Sequence, residues 1–568
     1  MKKIYDIVSM AILLFCTAAC SDSYLELSPE SSVSDEVIFE NADAAQYAVN
    51  GLGRIMSTQY LDTQGYNGEG TVYAYQGEYP GDVIQKGSYT GWQNLAKGNY
   101  FTSSTNSNIH VTWYYYYKLI RNANQILDNC KTGLANVAEQ RKWDYIKAQA
   151  LVYRAYSYTM LSQLYSRRWT DADGLQRGLV LRTTVNNDEM PCSTMAETFE
   201  LIYHDLDEAI SLFTSCGYDR PVDVDKRWMA NLDVAHAVYS RAALIRNDWQ
   251  TVITHSQEAR RNYSIMTPDE YKAGFNTANQ EWIWEVFEDD TQPVHYYSFY
   301  NYMSASCLGS ASRTYPPCIS KQIVDPIDPA DKRLAIYAIP TPEEVGDVSK
   351  VSGSGKVTKG DFYNRVKKEF AGRIYSTTTI FYYLSTKFIV KSGTGDGCIP
   401  IFRAAEMMYN EAEAQYRLGN EQAVRALLEQ TVKPYNADYT CTKSGDSLWE
   451  ELKAYRKFDL CNEGHSWFDL KRWGDPMVRK TWAEGGSWAT YFAEKNTTTG
   501  GNYGPADKNA WTAVIPTMET NYNSLVFRID CFREADAEGA ALPPGADGRE
   551  ERAIWKNRSV WKPLSAGR

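Results

Sequence analysis

The chain has 568 residues, and its 59 Lys and Arg against 70 Asp and Glu give a formal net charge of −11. A chain of this length can bury one large irregular core or two to three smaller ones. The acidic balance argues against nucleic acid, and against an anionic membrane surface, as the partner. The 42 Tyr and 16 Trp exceed what a core needs, so we expect many rings at the surface, where they suit a polar ligand with apolar faces such as a sugar.

Cysteine and histidine usage indicates neither a metal site nor a complete set of disulfides. The 11 Cys include no Cys-x-x-Cys pair, and the six His are scattered along the chain. Nine Cys remain once Cys16 and Cys20 of the leader are set aside, and an odd number cannot all pair. No Gly-x-Ser-x-Gly elbow or phosphate-binding glycine loop is present. The sequence therefore predicts no metal, no cofactor and no catalytic residue.

The start of the chain has the features of a secretory leader. Lys2 and Lys3 precede a short apolar run at residues 7–15, which is too brief to span a bilayer. The run leads to Thr-Ala-Ala-Cys, which resembles a lipobox, although Thr17 stands where Leu is usual. We predict a lipoprotein signal peptide over residues 1–19, acylation of Cys20, and a lipidated, extended tether over residues 20–42.

Apolar residues at helical spacing predict helices that occur in pairs. The predicted helices are residues 43–56, 113–127, 143–164, 199–213, 231–246 and 249–260. Small residues within them allow helices to approach closely, and the recurrence of pairs predicts degenerate tetratricopeptide-like repeats. Strict alternation over residues 281–286 predicts a strand.

A first loop-rich stretch covers residues 65–107. Its many Gly, Asn, Ser and Tyr residues show little periodicity, which predicts a long ordered loop. Long loops on a large scaffold are frequent sites of ligand binding. Trp92 and Asn94 offer a stacking ring beside an amide that can hydrogen-bond to hydroxyl groups, so we predict that both contact the ligand.

A second loop-rich stretch covers residues 287–400. Four Tyr fall within residues 296–302, between turn-rich segments, and they cannot all belong to a core. We predict further ligand contacts at Tyr296, Tyr300 and Asn301.

The stretch at residues 456–474 mixes aromatic rings with charges. We predict that a capping box at Ser447 and Glu450 begins a helix that ends at Gly464, and that a second short helix ends at Gly474. Burying rings beside charges requires the charges to pair with one another. We therefore predict a helix-turn-helix corner with an internal ion network.

The polar residues of the preceding helix recur every three or four positions. They are Arg403, Glu406, Asn410, Glu413 and Arg417. This spacing favours a ladder of solvated ion pairs on one face of the helix.

Residues 456–474 closely resemble the signature of the SusD/RagB family of Bacteroidetes outer-membrane lipoproteins, which reads approximately R-R-x-E-L-x-x-E-G-x-R-W-x-D-L-x-R-W-G. Phe458, Asp459 and Ser466 depart from it. Further segments that resemble the family are residues 117–124, 148–156, 331–333, 401–414 and 513–516. The resemblance implies a mainly α, SusD-like fold over residues 43–530, with a loop-rich ligand-binding subregion. Residues 531–568 match none of the pattern and are predicted to be an atypical tail, for which disorder is one interpretation.

The resemblance also implies a function. A lipid-anchored, surface-exposed protein of the outer membrane would bind oligosaccharides and deliver them to a TonB-dependent, SusC-like transporter, without acting as an enzyme. Three alternatives remain at this point: capture of peptides, as in the RagB branch; degradation of surface glycans by a pair of Asp or Glu carboxylates; and a tetratricopeptide scaffold that binds only other proteins.

Overall fold

The computed structural model describes residues 35–58, 68–86, 93–96, 98–217, 226–288, 298–351, 353, 355–392, 395–490 and 512–526. Within these residues the protein is mainly helical, as predicted. The helices of eight or more residues are α1 (Ala42–Ser57), α2 (Ser107–Asn129), α3 (Val137–Tyr165), α4 (Met195–Cys216), α5 (Leu232–Arg246), α6 (Trp249–Arg260), α7 (Asp361–Glu369), α8 (Ala404–Arg417), α9 (Glu421–Val432), α10 (Gly445–Asp459) and α11 (Ser466–Trp473).

Shorter elements join the long helices. The short α-helical turns are Asp35–Ile38, Gly68–Thr71, Gln93–Ala96, Pro268–Lys272, Phe299–Met303, Ser310–Thr314, Lys321–Val324, Pro342–Val345 and Thr517–Thr520. The 3-10 turns are Asn99–Thr102, Trp169–Asp171, Lys332–Ile336, Val348–Lys350 and Trp482–Glu484. The strands are β1 (Ile84–Lys86), β2 (Trp282–Val286), β3 (Pro317–Ile319), β4 (Tyr337–Ala338), β5 (Lys356–Val357), β6 (Ile380–Phe381), β7 (Leu384–Ser385) and β8 (Ile399–Arg403).

The long helices form the predicted series of packed pairs. Helix α2 packs on α3, α3 on α4, α4 on α5 and α5 on α6, and α6 then packs on α8, which packs on α9. Helix α3 lies at the centre, and nearly all of its residues from Ala148 to Tyr165 are buried. Because α3 is buried all round, the helices on either side of it share one continuous core.

Local sequence accounts for where the helices begin and end. Asn136 caps α3 by accepting hydrogen bonds from two backbone amides of the first turn. Thr194 and Glu197 form a capping box at the start of α4, and Gly217 ends α4 in the left-handed conformation. Most helix ends lie within about a turn of the predicted ones, but α2 and α3 begin at Ser107 and Val137, earlier than the predicted starts at residues 113 and 143.

The stretch that we expected to be a loop, residues 65–107, contains a buried π-helix instead, Val72–Glu78. Its glycines serve close packing rather than a flexible loop. A Cβ atom on Gly77 would lie 2.3 Å from the carbonyl oxygen of Gly464, and one on Gly70 would lie 2.7 Å from the Cβ of Phe299. Glycine-rich composition alone does not distinguish these two uses of the residue.

Three small antiparallel sheets complete the fold within the described residues. They have the orders β1-β3-β7-β4, β2-β8 and β5-β6. Strand β2 confirms the prediction at residues 281–286, and its five residues are buried on both faces. It pairs with β8 from Trp282 opposite Arg403 to Val286 opposite Ile399, with two irregularities in register.

The corner near the end of the chain has the predicted shape but not the predicted start. Helix α10 begins at Gly445, and the Ser447 hydroxyl donates to the Ser444 carbonyl at 2.7 Å instead of capping an amide. The predicted capping box therefore does not form. Helix α10 ends at Asp459, a turn reaches Gly464, and α11 then ends at Gly474 (φ 75°) as predicted.

Eight cysteines lie within the described residues, and no disulfide joins any two of them: Cys130, Cys192, Cys216, Cys307, Cys318, Cys398, Cys441 and Cys461. None of the described helices is long and apolar enough to cross a membrane.

Candidate ligand-binding region

The structure locates some of the predicted ligand-binding residues. Trp92 and Tyr296 lie outside the described residues. The backbone of Asn94 lies in the turn Gln93–Ala96, but its side chain is also outside the description. Tyr300 and Asn301 are the two predicted contacts whose side chains can be examined.

Tyr300 and Asn301 are buried in the core, which corrects the prediction for both. Tyr300 is 0% exposed, and its hydroxyl lies 2.5 Å from the Phe275 carbonyl and 2.7 Å from the Cys398 carbonyl. Burial raises the pKa of this phenol well above its usual range. Asn301 is 2% exposed and packs within the turn that Ser298 caps. The Tyr300 hydroxyl bonds to two backbone carbonyls and the Asn301 side chain accepts from the Ser312 hydroxyl at 3.5 Å, so both side chains are engaged within the core.

Two described segments form a common support for the predicted aromatic stretches. Residues 72–86 precede the stretch with Trp92, and residues 298–319 follow the stretch with Tyr296. The hydroxyls of Tyr75 and Tyr302 lie 2.5 Å apart, and strand β1 pairs with β3 from Ile84 opposite Ile319 to Lys86 opposite Pro317. We call residues 72–86 and 298–319 the support.

Packing also fixes the turn that contains Asn94. Ala96 packs against Trp488, which is 1% exposed. The indole N–H of Trp488 donates to Ser320 at 3.0 Å, and the Arg479 guanidinium lies 4.5 Å from the centroid of the Trp488 ring. The turn therefore rests on a buried, rigid ring.

Partly exposed apolar side chains lie at the described edge of the second stretch. Phe287 is 41% exposed and Leu308 is 44% exposed. The adjacent Glu288 is buried, and its burial, with the nearby charge of Asp396, raises its pKa to about 8. A carboxyl group that keeps its proton at neutral pH can donate as well as accept a hydrogen bond.

A buried ion network lies behind the support, and we call it the clasp. Its members are Arg333, Lys387, Arg403, Arg456, Asp459, Glu463 and Asp469. Asp459 accepts from Arg403 at 2.8 Å and from Arg333 at 3.0 Å. Burial opposes the charge of Asp459, but the two guanidinium groups outweigh it and lower its pKa to about 2. The clasp confirms the predicted ion network at the helix-turn-helix corner.

The clasp reaches into α8, where the expected solvated ladder is wrong. Glu406 pairs with Arg241 of α5 at 2.8 Å, and Asn410 accepts from Arg456 of α10 at 2.8 Å. Both side chains are buried, as are Arg403 and Glu413. The three-or-four spacing identified one polar face correctly, but only the packing of α5, α10 and α11 against it decides that the face is dry as far as Glu413. Arg417, at the end of α8, is exposed as expected.

The turn between α10 and α11 holds the π-helix of the support. Glu78, at the end of the π-helix, accepts from the backbone amides of Gly464 at 2.8 Å and His465 at 3.2 Å. Phe101 stacks on Trp467 of α11 with ring centroids 5.0 Å apart. Sequence reasoning missed Glu78. Its position, 386 residues from Gly464, left no local signal.

Two family models match the chain over adjoining ranges. The model described as the SusD family matches residues 245–527, and the model described as "Starch-binding associating with outer membrane" matches residues 23–244. A curated relative, a SusD-like protein of Bacteroides ovatus, is 22% identical over 269 residues, which are 46% of this chain and 44% of the relative. The chain thus spans less than half the length of that relative.

Solved structures share the fold. A SusD-like carbohydrate binding protein from Bacteroides vulgatus matches with a TM-score of 0.70 and 20% identity, over 86% of this chain and 98% of that chain. A SusD superfamily protein from Bacteroides thetaiotaomicron matches with a TM-score of 0.66 and 20% identity, over 86% and 99%. Surface glycan-binding protein A from Bacteroides fluxus matches with a TM-score of 0.58 and 14% identity, over 84% and 96%. At these identities the likeness shows the fold alone.

The likeness to these solved structures shows that the described residues have a SusD-like fold. With the two models matching consecutively from residue 23 to residue 527, the chain belongs to the SusD/RagB family. This confirms the family indicated by residues 456–474.

Proposed function

We propose that this protein is a cell-surface lipoprotein that binds oligosaccharides and delivers them to a TonB-dependent, SusC-like transporter of the outer membrane. The observation that carries the proposal is the consecutive match of the two family models, one of which is described by starch binding and association with the outer membrane. Proteins of like fold include ones named for carbohydrate and glycan binding.

The chemistry of the candidate region supports this proposal. Aromatic rings such as Trp92 and Tyr296 suit the apolar faces of sugar rings, and an amide such as Asn94 suits their hydroxyl groups. The π-helix of the support is buried and held by Gly464 and His465, so the support is suited to hold such groups in place with little ordering cost on binding. Acylation of Cys20 would keep the protein at high effective concentration over its transporter, so modest affinity for glycans suffices.

A glycan and peptide array tests the proposal with the soluble form that starts at Ser21. We expect retention of at least one oligosaccharide, with no release of reducing ends. Trp92→Ala and Tyr296→Ala should each weaken binding about tenfold, roughly the 1.4 kcal/mol of one stacked ring. Tyr47→Ala is the matched control, because Tyr47 is 77% exposed on α1. Retention of peptides alone, or turnover of the glycan, would overturn the proposal.

Anchoring needs a separate experiment with the full-length chain. We expect Cys20→Ser to release the protein from the outer membrane without changing its glycan binding. Membrane retention of the variant would contradict the lipid anchor.

A further inference from the structure

The sheet β1-β3-β7-β4 brings together parts of the chain that lack acidic residues. The two longest stretches without Asp or Glu are residues 83–127 and 291–324, and residues 370–395 also contain none. Strand β1 lies in the first stretch, β3 in the second and β7 in the third, and β3 pairs with both of the others. Although the whole chain has a net charge of −11, these three segments therefore contribute no carboxylate side chain where they meet.

Arg313 lies in this region without an ion pair. It belongs to the support, in the turn Ser310–Thr314, and no carboxylate lies within ion-pair distance of it among the described residues. Its Nη1 donates to the Thr377 hydroxyl at 3.3 Å. Its Nε is buried, and neither Nε nor Nη2 has an acceptor among those residues. An unsatisfied buried donor costs stability, so one edge of the guanidinium is available to an acceptor.

Backbone hydrogen bonds hold Arg313 in place. Its amide donates to the Gly309 carbonyl at 3.1 Å, and its carbonyl accepts from the Thr379 amide at 2.8 Å. The neighbouring Tyr375 amide donates to the Ala305 carbonyl at 2.9 Å. Because both segments are fixed before a ligand arrives, little ordering is needed for Arg313 to bind one.

Residues 375–379, Tyr-Ser-Thr-Thr-Thr, each carry a hydroxyl group, and we call them the hydroxyl loop. Ser376 and Thr377 are exposed. The Tyr375 ring lies 5.7 Å from the Arg313 guanidinium, and its hydroxyl bonds to no described residue. Hydroxyl groups both donate and accept, as the hydroxyls of a sugar do.

A second cation lies beside the hydroxyl loop. Lys367 of α7 donates to the carbonyls of Ser376 at 2.8 Å and Thr378 at 3.4 Å. No carboxylate lies within ion-pair distance of Lys367 among the described residues. The hydroxyl loop is therefore contacted by two cations, Arg313 and Lys367, and neither is neutralised by an ion pair there.

The acidic side chains of the surrounding segments are engaged elsewhere. Glu78 of the support accepts from the Gly464 amide at 2.8 Å, and Asp82 pairs with Lys457 at 3.0 Å. Asp396, the first acidic residue after the third stretch, is buried and accepts from the Ser392 amide at 3.2 Å. These contacts account for the nearest carboxylates along the chain without using Arg313 or Lys367.

We propose that Arg313, Lys367 and the hydroxyl loop bind the acidic group of an anionic oligosaccharide. The acidic oxygens would accept from Arg313, while Tyr375 and Thr377 would bond to sugar hydroxyls. Carboxylate and sulfate groups both match the planar donor edge of a guanidinium. This inference rests on the proposed glycan-binding function and names the class of saccharide that is preferred.

Isothermal titration calorimetry of matched oligosaccharide pairs tests this preference, with the soluble protein that starts at Ser21. Trigalacturonate and a hyaluronan hexasaccharide are each compared with their carboxyl-reduced forms, and a chondroitin sulfate hexasaccharide with its desulfated form. We expect at least one acid to bind at least tenfold more tightly than its counterpart. The pair that shows the preference identifies the group as carboxylate or sulfate.

Two variants test the location. Arg313→Gln and Lys367→Gln should each weaken binding of the preferred acid about tenfold and leave its counterpart unchanged. Arg417→Gln is the matched control, because Arg417 is also an arginine without a carboxylate partner among the described residues, 4.4 Å from the Trp449 ring centroid. It should bind like the wild type. Thermal melting shows whether each variant is folded.

Equal affinity within every pair overturns the inference, and the proposed function stands if neutral glycans are retained on the array. A preference that survives in both Arg313→Gln and Lys367→Gln overturns the location. An equal loss in Arg417→Gln also overturns it, because the effect would then reflect the overall charge. Binding of no saccharide at all, on the array or in solution, overturns the proposed function as well.

Discussion

Single residues in the clasp have consequences that follow from burial of charge. Glu463 accepts from Lys387 at 2.5 Å and from Arg403 at 2.7 Å, and all three side chains are buried. Such a network is tolerated because each charge has partners, and removal of one member leaves the others uncompensated. The stability of the fold is therefore sensitive to the substitution of a single charged side chain in the clasp.

Glu463→Gln should lower the free energy of unfolding by about 3–5 kcal/mol, the usual cost of leaving buried charges unpaired. Urea unfolding followed by circular dichroism measures it. Glu450→Gln is the control: Glu450 is exposed and pairs with Lys453 at 2.8 Å, so the change should be below about 1 kcal/mol. Glycan preference should be unchanged in the variant that folds. Equal effects of the two substitutions would contradict a structural role for the clasp.

Glu78 gives the fold a specific dependence on pH. Burial raises the pKa of Glu78 to about 8. The hydrogen bonds from the amides of Gly464 and His465 lower the pKa, but by less than burial raises it. The folded state then holds a proton that the unfolded state, with a pKa near 4.5, has released. Stability from this group is therefore complete below pH 4.5 and is lost as the pH rises towards 8.

Glu78→Gln removes this titration and keeps a side-chain oxygen that can accept from both amides. The wild type should lose more stability between pH 5 and pH 8 than the variant does. Urea unfolding of both proteins at pH 5, 6, 7 and 8 checks this. Other groups titrate in both proteins, so the difference between the two curves isolates Glu78. Parallel curves would show that the carboxyl is already ionised at pH 5.

At the scale of elements, periodicity predicted the helices well and the π-helix poorly. A helix such as α6 was predicted at its observed bounds because its apolar residues recur every three or four positions. The π-helix is buried on all sides, so it has no exposed face that would set up a periodic alternation of apolar and polar residues. Its position is set by backbone contact with Gly464, which is distant in sequence.

Gly77→Ala tests that contact. The new Cβ would lie 2.3 Å from the Gly464 carbonyl oxygen, and since backbone must move on both sides we expect a loss of about 2–3 kcal/mol. Gly51→Ala is the matched control, because a Cβ there meets nothing within 4 Å and Ala is favoured over Gly in a helix by about 0.5–1 kcal/mol. Chemical unfolding should show one variant destabilised and the other slightly stabilised. A mild effect of Gly77→Ala would mean that the close approach is not required.

At the scale of the whole molecule, the two ranges matched by the family models are not separate folding units. Their boundary at residues 244 and 245 falls inside α5 (Leu232–Arg246). Contacts across it include the buried pair Arg241–Glu406 and the hydrogen bonds from Gly464 and His465 to Glu78. Neither half can satisfy these groups alone.

Expression of residues 35–244 and 245–526 as separate chains should yield two products without cooperative unfolding. Differential scanning calorimetry of each chain and of their mixture measures this, with the intact chain as the control. A cooperative transition in either half alone would contradict a single folding unit.

The candidate region was predicted only in part, for a reason that Tyr300 illustrates. A cluster of Tyr beside turns indicates that some rings must leave the core, but it does not say which. Tyr300 is buried because two carbonyls from distant segments, Phe275 and Cys398, surround its hydroxyl.

The sequence by itself determined the family, the paired helices, strand β2 and the charged corner at residues 456–474, because these depend on periodicity, turn residues and a local motif. Only the tertiary structure decided that α8's polar face is buried, that the π-helix replaces a loop, and that Tyr300 and Asn301 belong to the core. Each of these depends on which distant segments pack together. Burial and ion pairing across hundreds of residues are properties of that packing and leave no pattern in any short stretch of sequence.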